Sequence, residues 1–187
     1  MSDGSRRVVL KAAIGLGLGW TLESRAHTQQ DEGATARPQE GDLLVKAGDS
    51  NKTPLAPHDV LGGVAQTMAW AMEPATRTVR SGSRLNQILL IRLDPEKLTA
   101  TTRSRAADGV LAYTSICPHT GCDVDEWSAA DQLLSCPCHF SLFDPKDGGR
   151  VVDGPAPRAL PALPLKIVEG TLMVAKPFTA RIAFEKG

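Results

Sequence analysis

The amino-acid sequence predicts an all-β protein in which antiparallel sheets pack as a sandwich or small barrel. The chain has 187 residues, among them 17 Gly and 13 Pro, while aromatic residues make up only 4%. Such a composition is typical of short strands joined by turns. Short apolar runs recur along the chain, and only residues 97–107 suggest a helical turn. Sheets of this kind bury their apolar faces against each other.

The apolar runs define the individual strands. The clearest one, residues 86–93, reads as a buried strand that Asp94-Pro95 ends, and Glu169-Gly170 is typical of a tight hairpin turn. The predicted strands cover residues 42–45, 68–72, 86–93, 110–116, 133–134, 151–152, 163–168, 172–174 and 181–184.

The charge balance argues against several kinds of partner. Lys and Arg together number 21, as do Asp and Glu, so the formal net charge is zero. Beyond the pair Arg6-Arg7 there is no basic run. Nucleic acid is therefore not expected as a partner.

The first 26 residues resemble a twin-arginine export signal. Arg6-Arg7 precedes a short apolar stretch at residues 12–22, and Ser24-Arg25-Ala26 offers a cleavage site. A membrane span needs about 20 apolar residues, so a full anchor is disfavoured, although an uncleaved segment would hold the protein loosely at the membrane. Residues 27–40 are poor in large apolar side chains and predict a flexible tether. Residues 41–187 then form the folded domain.

All four cysteines of the chain lie in two short motifs. Box I, residues 117–122, reads Cys-Pro-His-Thr-Gly-Cys, and box II, residues 136–141, reads Cys-Pro-Cys-His-Phe-Ser. Each box pairs a cysteine with a histidine at metal-ligand spacing, and each has a second cysteine beside the histidine. Two loops that face each other would bring these two spare thiols together.

This mixture of thiolates and imidazoles suits a [2Fe–2S] cluster with two ligands of each kind. Such a cluster has a reduction potential of about −150 to +300 mV, against about −400 mV for an all-cysteine plant-type ferredoxin. A closed Cys₂His₂ zinc site, which would make the protein a zinc-stabilised binding module, is one alternative. Two plain disulfides are another, but they leave both histidines unexplained.

Both boxes resemble those of the Rieske iron–sulfur family, Cys-x-His-x-Gly-Cys and Cys-x-Cys-His-x-Ser. The resemblance covers about residues 110–174, with the cluster-binding part at residues 110–160. It implies a Rieske fold whose cluster is held by two loops and covered by a proline-rich loop at residues 154–158. It further implies a set of site residues: Cys117 and Cys136 as ligands of one iron, His119 and His139 as ligands of the other, Cys122 and Cys138 as a disulfide, and Ser141 as a hydrogen-bond donor to a bridging sulfide.

The paired extra cysteines place the chain, by resemblance, in the high-potential branch of this family. The run from Cys138 to Gly149, with Phe140 and Phe143, is more similar to the small subunit of arsenite oxidase. Cytochrome bc members carry a Gly and a Tyr at those two positions.

The first expectation is therefore an electron carrier without substrate chemistry of its own. It would be exported to the periplasm and pass electrons from a large catalytic subunit, such as a molybdenum enzyme, to a soluble cytochrome c or copper protein. The alternative is the iron–sulfur subunit of a quinol-oxidising cytochrome bc complex.

Overall fold

Two antiparallel sheets dominate the computed structural model, which describes residues 32–182. The first sheet contains β1 (Leu43–Lys46), β2 (Thr67–Glu73), β3 (Thr78–Val79), β4 (Ile88–Arg92), β5 (Val110–Thr114), β10 (Leu165–Val168) and β11 (Thr171–Val174). The second contains β6 (Glu126–Ser128), β7 (Leu133–Cys136), β8 (Ser141–Asp144) and β9 (Arg150–Asp153). The strand order is β10-β11-β1-β2-β4-β5 in the first sheet, with β3 paired to β2, and β6-β7-β8-β9 in the second.

Helical structure in the described part of the chain is limited to short segments. Thr99 caps a single α-helical turn, Ala100–Arg103, which lies within the stretch predicted to hold one. The 3₁₀ turns are Pro57–Asp59, Arg84–Asn86, Pro95–Lys97 and Pro145–Asp147, and residues 32–35 form a further helical turn. The predicted all-β class is therefore confirmed.

Three strands of the structure were not predicted, and one predicted strand, at residues 181–184, does not begin as a strand in the structure. β3, β6 and β8 are short and carry polar residues, so their patterns give little periodicity; β6, for example, reads Glu-Trp-Ser. The predicted strand at residues 181–184 begins with Arg181 and Ile182, which have no regular structure, and its remaining residues lie outside the described range. Ile182 is nevertheless buried against Ile116, so packing accounts for its apolar character.

β4 joins the two halves of the core because both of its faces are buried. Ile88 and Leu90 belong to a core cluster that lies within the first sheet's side of the domain. Leu89 and Ile91 belong to a second cluster, which also contains residues of the second sheet and of both boxes. Burial on both faces explains why this strand reads as a continuous apolar run rather than as an alternating one. It also fixes the position of the boxes relative to the main sheet.

The predicted tether is only partly within the described residues, and that part lies against the domain. The buried side-chain amide of Asn86 donates to the Ala36 carbonyl at 2.7 Å and accepts from Arg37 at 2.9 Å. Close by, Asp42 and Arg80 form a buried ion pair with two contacts, of 2.6 and 2.9 Å. These buried polar contacts hold the segment before β1 against the domain, although the segment has few large apolar side chains of its own.

The export segment predicted over residues 1–26 lies outside the described residues. Within residues 32–182, no helix has the length and apolar character needed to cross a membrane.

Candidate metal centre

Box I is a tight loop that leaves the end of β5. The Cys117 amide donates to the Cys122 carbonyl at 2.8 Å, and the Gly121 amide donates to the Cys117 carbonyl at 3.0 Å. Gly121 has a φ of +81°, in the left-handed region that glycine adopts readily. The Arg84 guanidinium donates to the Gly121 carbonyl at 2.8 Å and so holds the loop from outside. The glycine of the motif is therefore needed to close the loop.

Box II is the turn between β7 and β8. Cys136 pairs with Ser141 across these strands, and the Phe140 amide donates to the Cys136 carbonyl at 2.9 Å. Residues 137–140 form the loop of this turn and are exposed, and His139 is among them. Cys136 and Ser141 are both 1% exposed. One short turn thus supplies a buried thiol, a buried hydroxyl and an exposed imidazole.

A disulfide joins the two boxes. Cys122 and Cys138 are bonded to each other, with their Cα atoms 6.4 Å apart, as the family resemblance implied. The rings of His119 and His139 meet edge to face, with centroids 4.6 Å apart. The structure therefore brings the paired residues of both boxes into one site, although they come from different sheets.

The other two cysteines are free thiols in the interior beneath the disulfide. Cys117 and Cys136 are buried, and the Cys136 Sγ lies within 4.8 Å of both disulfide sulfurs. The disulfide sulfurs are not thiolates, so of these three only Cys136 can serve as a thiolate ligand. The alternative of two plain disulfides is wrong for this structure.

Burial raises the pKa of the Cys117 thiol to about 11, and the adjacent Cys136 acts in the same direction. The backbone amide of His119 and the hydroxyl of Ser141, both near the sulfur, act to lower this pKa. The raised pKa means that burial disfavours an uncompensated thiolate at Cys117. A metal binds the thiolate form, so a thiolate at this position needs a bound cation to compensate its charge.

Ser141 connects box II with the proline-rich loop. Its Oγ accepts a hydrogen bond from the Ala156 amide at 3.1 Å, and the hydroxyl is near enough to Cys117 to lower the pKa of that thiol. The resemblance implied that this hydroxyl donates to a bridging sulfide, and that role stays a prediction. A bridging sulfide or a ligand sulfur beside the hydroxyl would gain negative charge when the site is reduced.

The proline-rich loop packs directly on box II. Gly154 has a φ of +87°, and a Cβ atom there would lie 2.5 Å from the Ser141 Cα and 2.8 Å from the Phe140 carbonyl oxygen. Ala156 is buried in the same apolar cluster as Cys117. Only glycine permits this approach, which places the loop against box II. That the loop covers a bound cluster stays a prediction.

One buried polar atom tests whether a metal fits between the boxes. The Nδ1 of His119 is buried and has no hydrogen-bond partner among residues 32–182. A buried ring nitrogen of this kind is normally satisfied, and metal coordination is one way to satisfy it. Two free thiols and two neighbouring imidazoles, one of them with an unsatisfied nitrogen, fit a Cys₂His₂ cluster. Cys117, Cys136, His119 and His139 are the residues that could hold it.

Several residues that shape this site were not predicted from the sequence. Arg84 lies far from both boxes along the chain, and no local pattern marks it. The amide groups of His119 and Ala156 act through the backbone, so their residue types give no indication of the role. The left-handed conformation of Phe140, with φ of +59°, is also unexpected for an aromatic residue.

Comparison with known proteins supports an iron–sulfur domain. A family model described as the Rieske [2Fe-2S] domain matches residues 74–164. The cytochrome bc1 complex Rieske iron–sulfur subunit of Streptomyces lividans is 34% identical over 125 residues, which are 66% of this chain and 72% of that protein. A Rieske protein of Haloferax mediterranei, named as a putative respiratory nitrate reductase subunit, is 45% identical over 75 residues. That match covers 40% of this chain and 33% of the Haloferax protein.

Two solved structures are also similar. The soluble domain of the Rieske protein II from Sulfolobus acidocaldarius is 20% identical, with a TM-score of 0.37. The match covers 84% of this chain and 79% of that one. A chain of a hyperthermophilic respiratory complex III is 20% identical, with a TM-score of 0.43, over 83% of this chain and 94% of that one.

Removing the disulfide should destabilise the domain without removing the proposed ligands. Replacing both Cys122 and Cys138 by Ala opens a cross-link between residues 16 positions apart. Chain-entropy models give about 3 kcal/mol for such a loop, so the free energy of unfolding should fall by about that amount. Denaturant titration measures the change. We expect iron to bind but to be lost faster on storage.

Ser81→Ala is the control, because this residue is exposed and lies outside both boxes. It should leave the free energy of unfolding nearly unchanged. Mass spectrometry that finds Cys122 and Cys138 as free thiols in the native protein would contradict the role assigned to the bond.

Proposed function

Because this chain belongs to the Rieske family of [2Fe–2S] iron–sulfur proteins, we propose that it is the electron-carrying subunit of a quinol-oxidising cytochrome bc complex. Its family membership implies a Rieske-type cluster. In our proposal Cys117 and Cys136 bind one iron, and His119 and His139 bind the other. Such a cluster, when bound, takes up and releases one electron at a time.

The observation that carries this proposal is the arrangement of buried thiols and exposed imidazole. Cys117 and Cys136 are buried, whereas His139 lies at the surface. A ligand at the surface brings the redox centre within reach of another molecule, and the buried side excludes water. An exposed imidazole can also accept a hydrogen bond from a quinol and take up its proton when the site is reduced. The similarity to the Streptomyces lividans bc1 subunit supports this choice of complex.

A second candidate is the small subunit of a periplasmic oxidoreductase such as arsenite oxidase. Phe143 favours this second candidate, because cytochrome bc members carry a Tyr at that position. The Phe143 side chain is fully buried. The Haloferax relative supports a wider range of respiratory partners. Export by the twin-arginine route, a molybdenum-containing large subunit and a soluble cytochrome c or copper acceptor all belong to this candidate.

A reconstitution assay separates the two candidates. Membranes from a strain that lacks this chain would receive the purified, iron-loaded, full-length protein. We expect menadiol-dependent reduction of cytochrome c to return. Arsenite-dependent reduction without quinol-dependent reduction would favour the second candidate, and restoration of neither activity would reject both.

The ligand assignment predicts the iron content and the spectrum. The purified protein should contain two irons and two acid-labile sulfides, and its reduced state should give a Rieske electron-spin signal. His119→Ala and His139→Ala should each abolish that signal, because each removes a neutral ligand.

His58→Ala is the control, since the His58 side chain is 82% exposed and lies outside both boxes. It should keep the signal. A signal that survives His119→Ala would overturn the assignment. A colourless protein that contains zinc would instead support the binding module.

The hydroxyl of Ser141 should raise the reduction potential of the site. A hydrogen bond to a ligand sulfur stabilises the more negative reduced state. With about 59 mV per tenfold change in equilibrium constant and about 1 kcal/mol per bond, Ser141→Ala should lower the midpoint potential by some tens of millivolts. Phe143→Tyr should raise it if the added hydroxyl reaches Cys117. A redox titration followed by electron-spin resonance measures both shifts.

Ser128→Ala is the control for this titration. The Ser128 hydroxyl bonds to the carboxylate of Asp131 in an exposed turn, so its loss should not change the potential. An unchanged or higher potential in Ser141→Ala would contradict the electrostatic explanation.

A further inference from the structure

An ion pair lies at the edge of box I. The Arg84 guanidinium donates to the Asp123 carboxylate at 2.8 Å and to the Gly121 carbonyl, also at 2.8 Å. These two acceptors lie on either side of Cys122, which forms the disulfide with box II. A planar guanidinium can hold two acceptors in one fixed geometry, which the single ammonium group of a lysine cannot do. Arg84 therefore fixes both neighbours of the cysteine that ties box I to box II.

The turn that carries Arg84 is itself fixed on the domain. Leu85 packs against a buried cluster that contains Ile116, the residue directly before box I. Asn86 is fully buried, and its side-chain amide donates to the Ala36 carbonyl at 2.7 Å. Contacts on two sides thus determine where the backbone of this turn lies. The guanidinium extends from a supported position, as a residue that positions a site requires.

The loop of box I is closed through a residue that Arg84 binds. The carbonyl of Gly121 accepts from Arg84, and the amide of Gly121 donates to the Cys117 carbonyl at 3.0 Å. In the proposed ligand set, Cys117 binds one iron and His119, which lies between these residues, binds the other. The position of Gly121 therefore bears on both ligands that box I supplies.

The ion pair also brings charge to a loop that has none of its own. Residues 117–122 contain no Asp, Glu, Lys or Arg. The Arg84 side chain is 53% exposed and the Asp123 side chain 48% exposed, so solvent screens both charges in part. A cluster that gains one electron becomes more negative. A nearby cation therefore favours the reduced state, and a nearby anion disfavours it.

We propose that Arg84 is a positioning residue of the redox centre, and that the Arg84–Asp123 pair adjusts the reduction potential from outside the ligand set. Arg84 holds Gly121, and through it the loop that presents Cys117 and His119. Its charge compensates Asp123, which would otherwise oppose reduction. This inference rests on the ligand set of the proposed function and does not depend on the choice of complex.

Two substitutions that remove opposite charges test the electrostatic role. The iron-loaded, full-length protein is titrated at one fixed pH and low salt, and electron-spin resonance follows the reduced state. Arg84→Gln should shift the redox equilibrium constant about threefold toward the oxidised state, a fall in midpoint potential of about 30 mV. Asp123→Asn should shift it about threefold the other way. Both shifts should shrink in about 1 M salt. Loosening of the loop alone would not give shifts of opposite sign.

Arg84→Lys separates the charge from the positioning. Lysine keeps the positive charge but lacks the planar group that binds Gly121 and Asp123 together. The midpoint potential should therefore stay close to that of the natural protein. Amide hydrogen exchange in residues 117–122 should become about fivefold faster in both Arg84 variants, because the loop loses a support.

Arg77→Gln is the matched control. Arg77 also donates to two acceptors, the carbonyls of Asn51 and Lys52, at an exposed position outside both boxes. Its loss should change neither the potential nor the hydrogen exchange of box I.

The possible failures are distinct. Shifts of the same sign in Arg84→Gln and Asp123→Asn, or shifts no larger than that of Arg77→Gln, would overturn the electrostatic role. Unchanged hydrogen exchange in Arg84→Gln would overturn the positioning role. A natural protein without a Rieske signal would reject the ligand set and this inference with it. If the opposite shifts appear but neither menadiol-dependent nor arsenite-dependent turnover returns, the role of the pair stands and the proposed function fails.

Discussion

The disulfide between Cys122 and Cys138 is the bond on which the rest of the site depends, because it joins loops from two different sheets. Box I follows a strand of the large sheet, and box II is a hairpin of the small one. Within each box, backbone hydrogen bonds close the loop but do not fix its distance from the other. With the cross-link in place, the two imidazoles meet and two thiols share one buried space.

Shielding of this space comes from a third segment, the proline-rich loop. Its close approach depends on Gly154, and its backbone supplies the amide that orients the hydroxyl of Ser141. The same contact therefore packs against the buried thiols and holds a hydroxyl near Cys117, where it lowers the pKa of that thiol. The cover thus contributes to the electrostatics of a redox centre as well as to its packing.

The chain divides its site into a buried half and an exposed half. Free thiols lie inside, where reaction with solvent is suppressed, and His139 and Phe140 lie outside, where another protein can reach them. The segment at residues 32–40 is held elsewhere on the domain. Asn86 binds this segment, and the buried Asp42–Arg80 pair fixes the chain just before β1, so residues 32–40 are part of the folded domain.

The sequence by itself determined the fold class, most strands and the residues of both boxes, because short apolar runs and metal-ligand spacings are local patterns. Residues 117–122 and 136–141 could be identified in this way from the order of residue types alone. Only the tertiary structure decided how Arg84 and the Ala156 amide support the boxes, because these contacts join residues distant in the chain.

The tertiary structure also decided the docking of residues 32–40, where polar composition suggested a tether. Hydrogen bonds to buried groups hold this segment on the domain. Composition reflects only how many apolar side chains a segment can bury, so it could not predict these bonds. The backbone of Phe140 is the clearest case, because residue type predicts the opposite of what the turn requires. A left-handed conformation is imposed by the geometry of the loop between β7 and β8, and that geometry depends on the strands and the disulfide rather than on the residue itself.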